Sequence, residues 1–410
     1  MSKKSAIILI ITVFIGTLAA LIWFYFNNAI TPTTTVQVPA GDVYDPFGLG
    51  NRGSAATSTT INQTPSQVVT QPIQVLRKIS EEPTSGATLF DSTTNSHTNI
   101  RYILRANGNI YETYTNSTEI RRISNTTVPK VYESLWLPDG QNLIIRYLKD
   151  ITDNIQSFSV KINVATSTTN TFEGGIDGMF LPENITQLAI NPSGDKIFFL
   201  TSNLSGSTGS ISKTNGLNKK NIFESPLVEW IVTWPKEETI TMTTRASVNT
   251  PGFLYFLNSK TGSFDRVLGN ISGLTTKTNP PATQVLYSDS TKGTPTLYLY
   301  DIKKDESKML PWNTLPEKCV WGQNDTKSIY CAVPKSFPTG NYPDAWYQGL
   351  VSFADSIWKY NTDTGTSSLV SDLQSANMDI DATDLKISSD DGYIVFTDKA
   401  SLSLWGLQIK

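Results

Sequence analysis

The side chains able to do chemistry are few, and their spacing narrows the chemistry at once. The chain has one histidine, His97, so neither a histidine-based catalytic triad nor a multi-histidine metal site is expected. Its two cysteines, Cys319 and Cys331, are equidistant from Asp325. That spacing suits two strands facing each other across a hairpin, either joined by a cross-strand disulfide or holding two buried thiols. A single pair assembles neither a zinc cluster nor a disulfide framework. Four aspartates, Asp372, Asp379, Asp381 and Asp384, crowd the stretch Ser371–Asp384. Calcium asks for about six to eight oxygens, and an EF-hand loop also needs its glycine, which is missing here. A solvated acidic loop is therefore expected, and no metal is assigned. A second stretch, Pro334–Asp355, gathers Phe337, Tyr342, Trp346, Tyr347 and Phe353. Long loops in compact domains are commonly functional, and exposed Trp and Tyr favour binding centres; the alternative is that these rings cap the fold. The candidate binding residues are thus Phe337, Tyr342, Trp346, Tyr347, Asp379, Asp381 and Asp384. No catalytic residue and no cofactor is assigned. There is no G-x-S-x-G elbow, Walker loop or dinucleotide glycine motif.

Composition sets the remaining bounds. The 410 residues carry 33 Lys+Arg against 36 Asp+Glu, a net charge of −3, which removes the electrostatic footprint of a nucleic-acid binder. Only 17% of residues are charged and 39% are hydrophobic; Ser, Thr and Asn fill the difference and favour strands and turns over helices. In a chain so rich in these residues, the N-x-[ST] triplets headed by Asn62, Asn116, Asn125, Asn184, Asn203, Asn270 and Asn324 are expected by chance.

The elements that must position these groups begin at the N-terminus. Ala6–Phe26 contains no charge and no proline, and a helix of that length spans the roughly 30 Å hydrocarbon core. Lys3 and Lys4 precede it and no basic residue follows until Arg52, so residues 1–5 stay cytoplasmic and the remainder is exported. The run ends in Trp23, Phe24, Tyr25 and Phe26 rather than in a small-residue cleavage site, which favours an uncleaved anchor in the cell membrane over a signal peptide. Asn27–Pro72 holds nine Thr and five Pro, too little apolar area to offset ordering entropy, and reads as a flexible tether with a reach of about 35–40 Å. Within it, Gly41–Gly50 is aromatic-rich, a turn-rich piece of tether in the simplest reading.

Residues 73–410 repeat. An aromatic-centred strand followed by Asp or Asn and a tight turn occurs at Leu254–Asn258, Leu297–Asp301 and Ile357–Asn361, with fainter copies around Tyr111, Phe158, Ile211 and Trp405. The centres lie 47, 53, 44, 43, 60 and 47 residues apart, close to the roughly 40–45 residues of a four-stranded propeller blade, with loop insertions making up the excess. Upstream of most centres lies strand, turn, apolar strand: Trp136–Gly140 before LIIRYL, Ile190–Gly194 before IFFL, and Lys386–Gly392 before YIVF. Pro and Gly at these positions make hairpin turns, so the exported body is all-β.

These residues resemble the WD-like repeats of bacterial propellers, the TolB type found in the periplasmic propeller of the Tol system. The resemblance covers about Gln74–Lys410 and implies architecture rather than activity. Ile100–Tyr114, Glu119–Trp136 and Leu143–Asp150 also resemble a widespread, uncharacterised group of membrane-anchored bacterial envelope propeller proteins, which implies an envelope setting. Ser388-x-Asp390-x-Gly392 resembles part of the sialidase Asp-box, but Val395 stands at its terminal tryptophan position and no second full copy occurs.

The expectation is a seven-bladed β-propeller, with six blades as the alternative because the Ile211 copy is poorly matched. The last unit supplies three strands; Val75–Ser80 matches Glu119–Ser124, the expected outer strand of the first full blade. Gln74–Ser80 is accordingly expected to pair with Leu402–Ile409 and complete the last blade. The expected role is a membrane-anchored, extracytoplasmic binding or scaffold module for another envelope protein or a glycan. A carboxylate-dependent glycoside hydrolase is the alternative.

Overall fold

The structure, a computed structural model, describes residues 75–91, 97–149, 154–163, 175–374 and 378–409. The expected anchor and tether lie outside the described residues. Among the described residues, no helix is long and apolar enough to cross a membrane.

The described residues form seven antiparallel sheets of four strands. Blade 1 comprises β2 (Thr84–Asp91), β3 (Thr98–Leu104), β4 (Ile110–Tyr114) and β5 (Arg121–Arg122). Blade 2 comprises β6 (Val131–Trp136), β7 (Asn142–Lys149), β8 (Asn154–Asn163) and β9 (Gly175–Phe180). Blade 3 comprises β10 (Ile185–Ile190), β11 (Lys196–Asn203), β12 (Gly206–Lys213) and β13 (Lys220–Ser225). Blade 4 comprises β14 (Trp230–Lys236), β15 (Thr239–Thr244), β16 (Pro251–Asn258) and β17 (Phe264–Ser272). Blade 5 comprises β18 (Thr276–Thr278), β19 (Gln284–Asp289), β20 (Thr296–Asp301) and β21 (Glu306–Met309). Blade 6 comprises β22 (Cys319–Trp321), β23 (Ser328–Pro334), β24 (Asp355–Asn361) and β25 (Ser367–Asp372). Blade 7 takes β26 (Ala382–Ile387), β27 (Tyr393–Asp398) and β28 (Leu404–Gln408) from the end of the chain, and β1 (Leu76–Ser80) from its beginning. Leu76 lies opposite Leu407, and Lys78 opposite Trp405.

Burial explains the sequence pattern. The second strand of a blade is covered on both faces by its neighbours, so it reads as a continuous apolar run: Leu143–Ile145, Ile197–Leu200 and Tyr393–Phe396 are all buried. Outer strands face water and lose that pattern, as in the exposed β21. Seven apolar clusters lie between successive blades, including one that joins Ile79, Tyr393 and Leu404 of blade 7 to Ile100 and Tyr102 of blade 1. An open row of seven blades would have six such interfaces. Seven make a closed ring.

The hairpin turns between first and second strands sit where the sequence pattern puts them. Gly140 closes the Leu137–Gly140 turn at φ 63°, and a Cβ there would meet the Phe90 ring at 2.3 Å. In blade 7 the left-handed residue is Asp391 rather than Gly392. Its carboxylate accepts backbone N–H groups of Gln323, Asn324 and Asp325 from the blade 6 turn, stitching neighbouring turns together. The six-blade alternative is excluded. The Ile211 copy is faint because β12 carries Gly209 where other blades carry bulk; the Phe198 ring of β11 fills that space, 2.7 Å from where a Cβ would stand.

Candidate functional site

In each blade the first strand runs from one face of the ring to the other, so its opening residues stand at the mouth of the axial channel. Loops between second and third strands, and links from one blade to the next, share that face. A cavity of ≈ 760 Å³ opens there. Its wall includes Tyr132 from β6, Gln187 from β10 and Ile231 from β14, the starts of three consecutive first strands. Glu317, in the 3₁₀ turn before β22, and Tyr347 come from the blade 6 side, so the cavity straddles the axis. Glu229 and Arg245 add a mixed-charge pair 3.5 Å apart. Exposed apolar side chains occupy the same face: Tyr132 at 47%, Val228, Leu227, Leu204 and Leu350 at 73%.

The insertion between β23 and β24 forms the blade 6 wall, with one helical turn, α1 (Asp344–Tyr347). Its aromatic residues do not make an exposed rim. Tyr342, Trp346 and Phe353 are buried in a small core with Leu315, against which Phe337 and Tyr347 also pack. The reason is hydrophobic: a twenty-residue loop carrying five aromatic rings gains more by collapsing on itself than by presenting them to water. Asp344 accepts the backbone N–H of Val248 at 2.8 Å and so fastens the insertion to blade 4. Tyr347 alone of the five rings lines the cavity, its hydroxyl donating to Glu317 Oε1. Burial, reinforced by the Glu317 charge, holds that phenol well above its ordinary pKa, so it stays a donor.

The acidic stretch is also divided. Asp379 and Asp384 are exposed, with Asp384 3.6 Å from Lys386. Asp381 is wholly buried. Its Oδ1 accepts from Lys318 Nζ, and its Oδ2 accepts from the Trp346 indole at 2.9 Å, the Phe353 N–H at 3.1 Å and Ser352 Oγ at 3.2 Å. It anchors the insertion and offers nothing to a ligand at the surface. Among the described residues, no group of three or more His, Cys, Asp or Glu side chains is arranged to hold a metal ion.

Adjacent residues therefore alternate between two jobs. Glu317 and Tyr347 face the cavity, while Lys318 and Trp346 face the buried anchor. Lys277 lies on β18, the first strand of blade 5, and its amine is held below its ordinary pKa, chiefly by burial, with Asp384 and Glu317 pulling the other way. Cys319 stands directly opposite Cys331 in the β22–β23 register, Cα atoms 4.0 Å apart, and the two form a disulfide next to Lys318.

Sequence reasoning missed Tyr132, Gln187, Glu229, Arg245 and Glu317. The signal that would have found them is positional: each stands at, or within a few residues of, the entrance or exit of an inner strand on one face.

No family model and no curated protein matches the chain. Solved structures do. Oligogalacturonate lyase from Vibrio parahaemolyticus matches with a TM-score of 0.51 at 8% identity, over 82% of this chain and 93% of that one. An oligogalacturonate lyase in complex with manganese matches at 0.48 and 12% identity, over 80% and 97%. TolB from Acinetobacter baumannii matches at 0.41 and 12% identity, over 78% and 79%. The Vibrio likeness shows the propeller fold alone.

Proposed function

We propose that this chain is a non-enzymatic binding module of the bacterial cell envelope. In this reading the segment at 6–26 anchors it in the membrane, the tether at 27–72 holds the propeller outside, and a segment of a partner protein docks at the channel mouth. One observation carries the docking reading: a cavity with polar and charged walls opens on a face that also exposes Tyr132, Leu204, Leu227, Val228 and Leu350. Exposed apolar side chains gathered on one face suit a protein surface better than a sugar chain.

A second reading has its own observation. Glu229 and Glu317 line the same cavity, as a glycoside hydrolase would require. Glu229 already pairs with Arg245, however, and Glu317 Oε1 accepts the Tyr347 hydroxyl, leaving only Glu317 Oε2 without a partner. That arrangement favours binding.

The test uses the intact chain, solubilised with its own membranes and recovered through a tag. Deleting the insertion is the wrong variant, because it would strip Trp346 and Phe353 from a buried lysine. Tyr132→Ala combined with Arg245→Ala alters only exposed wall residues. The expected result is about tenfold less co-purified partner with that variant, and an unchanged yield with Lys260→Ala on the opposite face. Equal recovery from both variants contradicts the docking reading. Release of sugars from envelope glycan by the wild type, lost on Glu317→Gln, would establish the hydrolase instead.

A further inference from the structure

Lys318 has no exposed side-chain surface, and neither do its two acidic partners. A buried lysine needs counter-charge, and this one has more than its share. Its Nζ lies 2.7 Å from Asp355 Oδ2, also bonds Asp381 Oδ1, and donates to the Ala382 carbonyl at 2.9 Å. Asp398, also buried, accepts the Asp381 N–H at 3.1 Å. The second cation is Lys399, whose Nζ lies 5.0 Å from the centre of the Trp346 ring. Two buried carboxylates thus share the one Lys318 amine, while Asp398 is occupied by the Asp381 N–H and, at Oδ2, by the Ser401 N–H and hydroxyl. Of the other charged groups around the cluster, Asp372 is matched by Lys335 at 2.7 Å, and Glu317 turns to the mouth.

The surplus charge has an address. Asp355 Oδ2 serves Lys318 and the Ala382 N–H, whereas Asp355 Oδ1 is buried with no hydrogen-bond partner. A proton on Oδ1 would neutralise an unpartnered anionic oxygen and leave Oδ2 free to accept as before. The cover over this cluster is the insertion itself: the Trp346 and Phe353 rings stand 5.4 and 5.3 Å from Lys318 Nζ. Lifting the insertion would hydrate the cluster and restore Asp355 to an ordinary carboxylate.

We infer that the Lys318–Asp355–Asp381 cluster takes up one proton when the insertion is closed, so that mild acid tightens the Glu317–Tyr347 wall of the mouth and neutral pH loosens it. As regulation of a docking site, this rests on the reading of the mouth given above. Burial pushes the Asp355 carboxyl up to about 6, against the pull of Lys318. The closed state therefore holds the proton more strongly than the open one, and acid must favour closure.

Hydrogen exchange on the intact chain in detergent, without any partner, reads this directly. The reporters are the Tyr347, Gln348 and Leu350 amides, which donate within the insertion, and Phe353, which donates to Asp381. After correction for intrinsic rates, their protection should be about tenfold greater at pH 5 than at pH 7.5, beginning to rise as the pH falls through about 6, while β11 amides serve as the global reference. Asp355→Asn should give strong protection at both pH values. Lys399→Met, which removes one cation, should move that onset to higher pH and provides the test should Asp355→Asn fail to fold. A flat wild-type profile, a pH dependence that survives Asp355→Asn, or an unmoved onset in Lys399→Met overturns the inference. Exchange needs no ligand, so failure of the capture experiment leaves this device standing, and a flat exchange profile leaves the docking reading standing.

Discussion

A chain starting at Glu81 is expected to lose cooperative unfolding, whereas one starting at Thr70 should keep it. The difference is β1. Its removal takes away buried Ile79, and Leu76 from the blade 6–7 cluster. It also takes Arg77, whose guanidinium bonds the Tyr393 hydroxyl at 3.0 Å and the Tyr114 carbonyl at 2.6 Å. Leu404, Trp405 and Leu407 of β28 are buried and would then border a bare strand edge. At about 1.5–3 kcal/mol for each large apolar side chain returned to water, the loss rivals the roughly 5–15 kcal/mol of net stability of a whole domain. An unpaired β28 would in addition be a template for aggregation. Urea transitions of the two chains, followed by far-UV and near-UV circular dichroism, decide the matter. A single steep transition of equal midpoint in both would show that β1 contributes little to holding the ring.

Lys318→Met is the second large effect. The substitution nearly conserves volume but leaves Asp355 and Asp381 buried without their cation. Removing one partner of a buried pair costs about 3–5 kcal/mol, equivalent to a melting temperature lower by roughly 10 °C for a domain of this size. The sign of its pH dependence follows from linkage. Without the lysine, both carboxyls bind protons more tightly in the folded chain than in the unfolded one. The deficit should therefore be small in acid and grow as pH rises through the carboxylate range. Adding Asp355→Asn should recover part of the loss at neutral pH. A melting temperature unchanged at pH 7.5 would contradict the assigned role of Lys318.

The architecture was legible because it is periodic. Tyr111, Phe158, Ile211, Tyr255, Tyr298, Trp358 and Trp405 all lie on third strands, one per blade. Each blade solves the same packing problem with a similar alternation, and the hairpin turns need the same few residue types. The exceptions are local substitutions of one solution for another: Gly209 under Phe198, and Asp391 where a glycine was expected to carry the positive φ. The site was much less legible. The direction in which Tyr342, Trp346 and Asp381 face depends on what lies beneath the insertion, namely Leu315 and Lys318 from a different segment. Lys318 itself sits in Pro316–Trp321, where nothing in composition separates a buried lysine from a solvated one. The cavity draws one or two residues from each of several blades, so Tyr132, Gln187, Arg245 and Glu317 form no motif. Only closure of the ring brings them together.

The claim that the channel mouth is the working surface is tested most directly by site-specific photocrosslinking in living cells. A benzophenone side chain placed at position 132, on the wall of the mouth, should trap a discrete protein adduct of reproducible mass. The same side chain at position 260, on the opposite face, should trap none. A discrete adduct from position 260 with none from position 132 would contradict the account.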